Sequence, residues 1–152
     1  MKAAPSGAAA FQPPERPVGA NVEACDGDVT DPASPVLTGS IRLDARRIND
    51  VKIHPNNRLA IVTREGASSR RNGIVLLDLS TPAHPTILGE YTETVTGGVH
   101  NVWIRGDLDL VYAAHNGTSE MHIIDISDPR APREVGRWGL DRPVKTLHDV
   151  IV

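Results

Sequence analysis

Asp78-Leu79-Ser80-Thr81-Pro82-Ala83-His84-Pro85, with Gly89 four residues on, is one of three copies of a single pattern in this chain. The others are Asp28-Val29-Thr30-Asp31-Pro32-Ala33-Ser34-Pro35 with Gly39, and Asp125-Ile126-Ser127-Asp128-Pro129-Arg130-Ala131-Pro132 with Gly136. Each reads Asp, aliphatic, Ser/Thr, any residue, Pro, two residues, Pro, and the copies lie 50 and 47 residues apart. A fixed period of this length is the mark of a repeat architecture. The chemistry of the pattern is that of a strand exit. A short carboxylate holds backbone N–H groups just downstream, and proline sets φ while offering no N–H to a ladder. We therefore read Asp28, Asp78 and Asp125 as structural turn residues. They lack the clustered oxygen spacing of a calcium loop.

Working outward, a second element recurs in the same phase: Ile48-Asn49-Asp50-Val51, Val99-His100-Asn101-Val102 and Leu147-His148-Asp149-Val150. Leu59-Ala60-Ile61-Val62 pairs with Leu110-Val111-Tyr112-Ala113 in the same way, 51 residues on. Short β-branched and aliphatic runs separated by Asp, Asn, Gly and Pro are strand-and-turn grammar. They predict four strands in one unit, about 49–53, 59–63, 73–78 and 86–91. The next unit has four more, about 100–104, 109–114, 120–125 and 133–138. Pro55-Asn56-Asn57 and Gly106-Asp107 supply tight turns, and the extra residues of the first unit fall in the surface loop from Arg64 to Asn72. Four short strands per unit predict an all-β chain of β-propeller blades, each of four antiparallel strands. The blades run over about 46–91 and 98–138, with partial blades on either side.

Composition supports this and narrows the function. The 152 residues carry a formal net charge of −3, are 39% hydrophobic and only 3% aromatic, so the core is aliphatic. The mild acidity argues against nucleic acid as a partner. No apolar run approaches the length of a transmembrane segment. Residues 1–27, rich in Ala, Pro and Gly, read as a disordered tail ahead of a partial propeller over 28–152. Met1-Lys2-Ala3-Ala4-Pro5 leads into no apolar stretch that would read as a secretory signal. Cys25 is the only cysteine, which excludes an internal disulfide and a thiolate metal cluster.

The runs Leu76-Leu77-Asp78-Leu79-Ser80 and Ile123-Ile124-Asp125-Ile126-Ser127 resemble the LVIVD-repeat family. The trailing Pro-x-x-Pro and the His-Asn/Asp-Val strand openings fit as well, over about residues 28–152. The resemblance implies a β-propeller, in bacterial or archaeal proteins that are exported or lie at the cell surface, and it brings no catalytic residues. About two full blades are fewer than a closed propeller needs. The chain therefore reads as a fragment, with exposed sheet edges and the remaining blades of a longer protein as its natural neighbours.

The candidate ligand or metal residues are those of the second repeated element: His100, His148 and Asn49 at one position, and Asn101, Asp50 and Asp149 at the next. Innermost strands line a propeller's channel, so one imidazole per blade could converge there on a metal ion. Asn49 breaks such a ring. Strand alternation places His100 on the apolar side with Val102 and Ile104, the side expected to pack between blades. Trp103 and Trp138 are expected to pack there too. His115-Asn116-Gly117 reads as a turn with positive φ at Asn or Gly, and Arg70-Arg71 as solvated surface. No nucleophile elbow, phosphate loop, His-Glu-x-x-His or dinucleotide fingerprint is present. The leading reading is a non-catalytic binding or scaffold module with no cofactor, recognising protein or glycan through loops at one end. The alternative is a metal-dependent hydrolase or oxidoreductase with repeated His and Asp at the channel.

Overall fold

The computed structural model describes residues 21–140 and 147–151. Among these, all regular structure is β. Strands β1 (Asn21–Asp28) and β2 (Val36–Asp44) form an antiparallel pair. β3 (Val51–Ile53), β4 (Leu59–Arg64), β5 (Gly73–Asp78) and β6 (Thr86–Tyr91) form a sheet in sequence order. β7 (Val99–Arg105), β8 (Leu110–His115), β9 (Glu120–Asp125) and β10 (Arg133–Trp138) form a second. Four-strand meanders arise because each turn is too short for anything but an antiparallel return.

Two aliphatic cores join the three sheets face to face. Leu59, Ile61, Ile74 and Leu76 of the middle sheet meet Val99, Val102, Val111, Ala113 and Ile124 of the next. On its other face Ala60, Val62, Val75 and Leu77 meet Leu43 and Ile41 of β2. Period-2 alternation divides β4 and β5 between these cores, so both faces are apolar and the strands read as unbroken hydrophobic runs.

The repeated pattern builds one local structure three times. Asp28 Oδ1 accepts from Thr30 N at 2.8 Å, Asp78 Oδ1 from Ser80 N at 2.8 Å, and Asp125 Oδ1 from Ser127 N at 2.9 Å. These bonds hold all three carboxyls below their ordinary value. Beyond each loop the outer strand bulges opposite the same place, at Thr38 against Asp26 and Gly27, at Leu88 against Leu76 and Leu77, and at Val135 against Ile123 and Ile124.

Four expectations are corrected. The tail does not extend to residue 27. Residues 1–20 lie outside the described residues, but Asn21–Asp28 is a strand whose sparse alternation, Val22 and Ala24 half-buried against exposed Glu23 and Cys25, hid it. His100 does not share the face of Val102. A bulge between Val99 and Val102 shifts the phase, so Val99 joins Val102 in the core and His100 stays half-exposed. Trp138 is not packed between sheets but is 52% exposed. In the turn after His115 positive φ falls on Ser119, and in the turn after Gly106 on Asp109.

Candidate functional site

The six candidate residues lie along the first-strand edges of successive units, and the structure brings them together in pairs. The His100 and His148 rings are 4.2 Å apart between centroids and tilted by 53°. Asn101 Nδ2 donates to Asp149 Oδ1 at 3.1 Å. Asp50 Oδ2 accepts from the Val102 backbone N–H at 3.0 Å, where the bulge lies, and its Oδ1 accepts from Lys52 Nζ at 2.8 Å. Asp50 thus reaches from one unit into the backbone of the next. Thr63 Oγ1 accepts from the amides of Asn49 and Asp50 at 3.1 and 2.9 Å, which is why β3 starts only at Val51. Asn49 Nδ2 is buried without a partner.

This edge is a set of fastenings between units. Among the described residues no three His, Cys, Asp or Glu side chains come together as metal ligands. The donors here are a pair of imidazoles and carboxylates already bonded to N–H groups.

A second polar assembly escaped the sequence reading. It joins the middle sheet to the next one at the end opposite the repeat loops. His122 is fully buried, and its Nδ1 lies 3.1 Å from Glu134 Oε2 and 3.2 Å from Thr94 Oγ1. Tyr91 OH bonds Thr94 at 2.9 Å and Glu134 at 3.2 Å, and Thr94 itself bonds Glu134. Arg137 Nε donates to Glu134 Oε1 at 3.0 Å. Burial pushes the Glu134 carboxyl up, but the bonds from Arg137, Thr94 and His122 outweigh it and hold the group at about 2. His115 stands edge-on to His122, 4.9 Å between centroids, and accepts from Gly97 N at 3.0 Å. Burial, then the neighbouring His122, lowers its pKa.

One signal could have found this assembly. His122 occupies the repeat position of Val75, and His115 that of Arg64. Arg64 is likewise buried, and its two Nη atoms clamp Glu90 at 3.1 and 3.0 Å. A polar residue at a core position of a repeat implies a built-in partner.

The cleft at the repeat-loop end lies between the middle sheet and the next. It has a volume of about 280 Å³. Leu59, Leu88 and Ile126 form its apolar part, and Asn56, Arg58, Asp109 and Ser127 are among its polar lining.

These features define the class: a stack of four-stranded antiparallel repeats whose repeat residues join unit to unit. Residues 69–93 and 96–139 match the LVIVD repeat, the first stretch covering β5 and β6 and the second β7 to β10. Over residues 69–139 the chain is thus built of LVIVD-family repeats. No curated protein matches it at a significant level.

Proposed function

We propose that the chain is a non-catalytic binding or scaffold module made of β-propeller blades, in a protein exported to or held at the cell surface. The observation that carries this reading is the engagement of the repeated polar residues. Asp50, Asn101 and Asp149 are bonded to backbone or to one another instead of converging on one point. Recognition then falls to the cleft at the loop end, where an apolar floor and an amide, a guanidinium and a carboxylate suit a hydroxyl-rich glycan or a peptide loop.

The test is a screen of the chain against a glycan array and a displayed peptide library, repeated with Arg58→Ala and with a His100→Ala, His148→Ala double variant. Binding lost with the first and kept with the second supports the reading. Turnover of a probe that a chelator abolishes, and that the double variant lacks, would instead support the metal-dependent enzyme.

A further inference from the structure

The two junctions inside the chain are built alike. A Cβ placed on Gly39 would stand 2.7 Å from the Ala83 carbonyl oxygen, and one on Gly89 would run into the Pro129 carbonyl. In each case the glycine after the bulge of one unit receives the Pro-x-x segment of the following unit's repeat loop, backbone against backbone. This is what the glycine in the repeat is for: no side chain fits beneath that loop.

Gly136 is the third such glycine, and among the described residues no backbone stands over it. The three atoms nearest to a Cβ there are side-chain atoms of Ile123, the closest at 3.3 Å. Around it lie the side chains that an arriving loop would cover. Val135 is 48% exposed, whereas its counterpart Leu88 packs on the core. Trp138 is exposed, whereas its counterpart Tyr91 is 2% exposed.

At the other end of the stack the first repeat loop has no partner among the described residues. Every residue from Gly27 to Thr38 is exposed. Val29 is 66% exposed, but its counterpart Ile126 is 2% exposed, buried in the junction where Leu88 and Pro129 line the same cleft. One molecule therefore carries both halves of a junction it has already formed twice.

We propose that a second copy of this chain docks head to tail, its Asp28–Pro35 loop seated over Gly136 of the first, with Val29 against Val135. The contact is heterologous, so repetition of it either closes a ring or continues as an open array. It is independent of the ligand-binding reading, since the cleft between the middle sheet and the next is left uncovered.

The experiment is light scattering coupled to size exclusion over a wide concentration range, on the full chain and two variants. The wild-type mass should rise with concentration above the 16.3 kDa of one chain. Gly136→Arg removes the receiving surface and Val29→Asp the arriving one. Each should weaken association by about tenfold or more, equivalent to about 1.4 kcal/mol. Both changes lie at the surface, and unchanged thermal unfolding of dilute variants shows that each still folds. Mixed one to one, the two variants should recover a complex of two chains, since each retains the half the other lacks. A mass that stays at one chain throughout, association that survives both substitutions, or variants that fail to recover on mixing would overturn the proposal.

Discussion

The middle sheet and the sheet that follows it share strand order, turn positions and the bulge before the repeat glycine, yet their burial differs sharply. β4 and β5 are buried almost throughout, while β9 alternates and β10 is largely exposed. Sequence does not explain this, because equivalent residues are similar. Leu76 and Ile123 occupy one repeat position, but Leu76 is fully buried and Ile123 half-exposed. Ile61 and Tyr112 differ in the same way. The middle sheet has a neighbour on each face, and the next sheet has one on a single face among the described residues. In a stacked repeat, burial is a property of place in the array, and each unit's stability includes the interface to its neighbour.

The sharpest way to break the comparison is Gly89→Val. It drives a side chain into the Pro129 backbone, so we expect a loss of about 4 kcal/mol or more and separation of the two sheets in urea unfolding. Gly136→Val at the equivalent site should cost far less in the same measurement. Leu76→Ala should destabilise by about 3 kcal/mol, from lost burial and a cavity. Ile123→Ala should cost less than half of that, about 1 kcal/mol. Equal losses would mean that position in the stack does not set burial energy.

Acid should act at the junction between these sheets through Glu134, inside the middle unit through Glu90, and between β2 and the middle unit through Asp44, whose carboxyl the Ser68 and Ser69 bonds hold well below its ordinary value. Glu134 is held at about 2 against an ordinary 4.5, and Glu90 is also held below its usual value because the Arg64 and Arg71 contacts outweigh its burial. Groups depressed in this way contribute stability above about pH 4.5, and that contribution is lost as pH falls towards 2. Chemical denaturation from pH 6 down to pH 2.5 should therefore show declining stability, with a shallower decline in Glu134→Gln. A smaller effect is expected for Asp50→Ala, about 1–2 kcal/mol for the bond to Val102 N. Smallest of all is the His100→Ala, His148→Ala pair, about 0.5 kcal/mol by urea unfolding, since His148 is exposed and neither ring belongs to a core. Zinc or nickel should leave the melting temperature of the wild-type chain unchanged.

Most of the strand plan was legible because the repeat aligns it twice. The predicted 73–78, 86–91, 120–125 and 133–138 coincide with β5, β6, β9 and β10. β1 was illegible because Asp26 and Gly27 stand where Leu76 and Leu77 stand, so the residues that mark the strand elsewhere are absent. The bulge at His100 was illegible for another reason: alternation assumes an unbroken ladder, and the bulge is fixed by the neighbouring Asp50, which bonds Val102 N. Pairing of the six edge residues followed from their common phase, but their partners did not. The assembly around His122 depends on Tyr91 and Thr94 from one unit and Glu134 from the next, a combination no single repeat displays.

The recurring bulge has a consequence for behaviour at high protein concentration. It sits on the outermost strand of every unit, β2, β6 and β10, the strand whose far edge has no partner in its sheet among the described residues. A bulged, more strongly twisted edge offers no straight row of N–H and C=O groups for another chain to extend. On β10 the charged Arg133 and Arg137 flank the bulge and add a solvation penalty to any such contact. Stacking through faces and resistance to zipping through the outer edge are thus encoded in the same few residues.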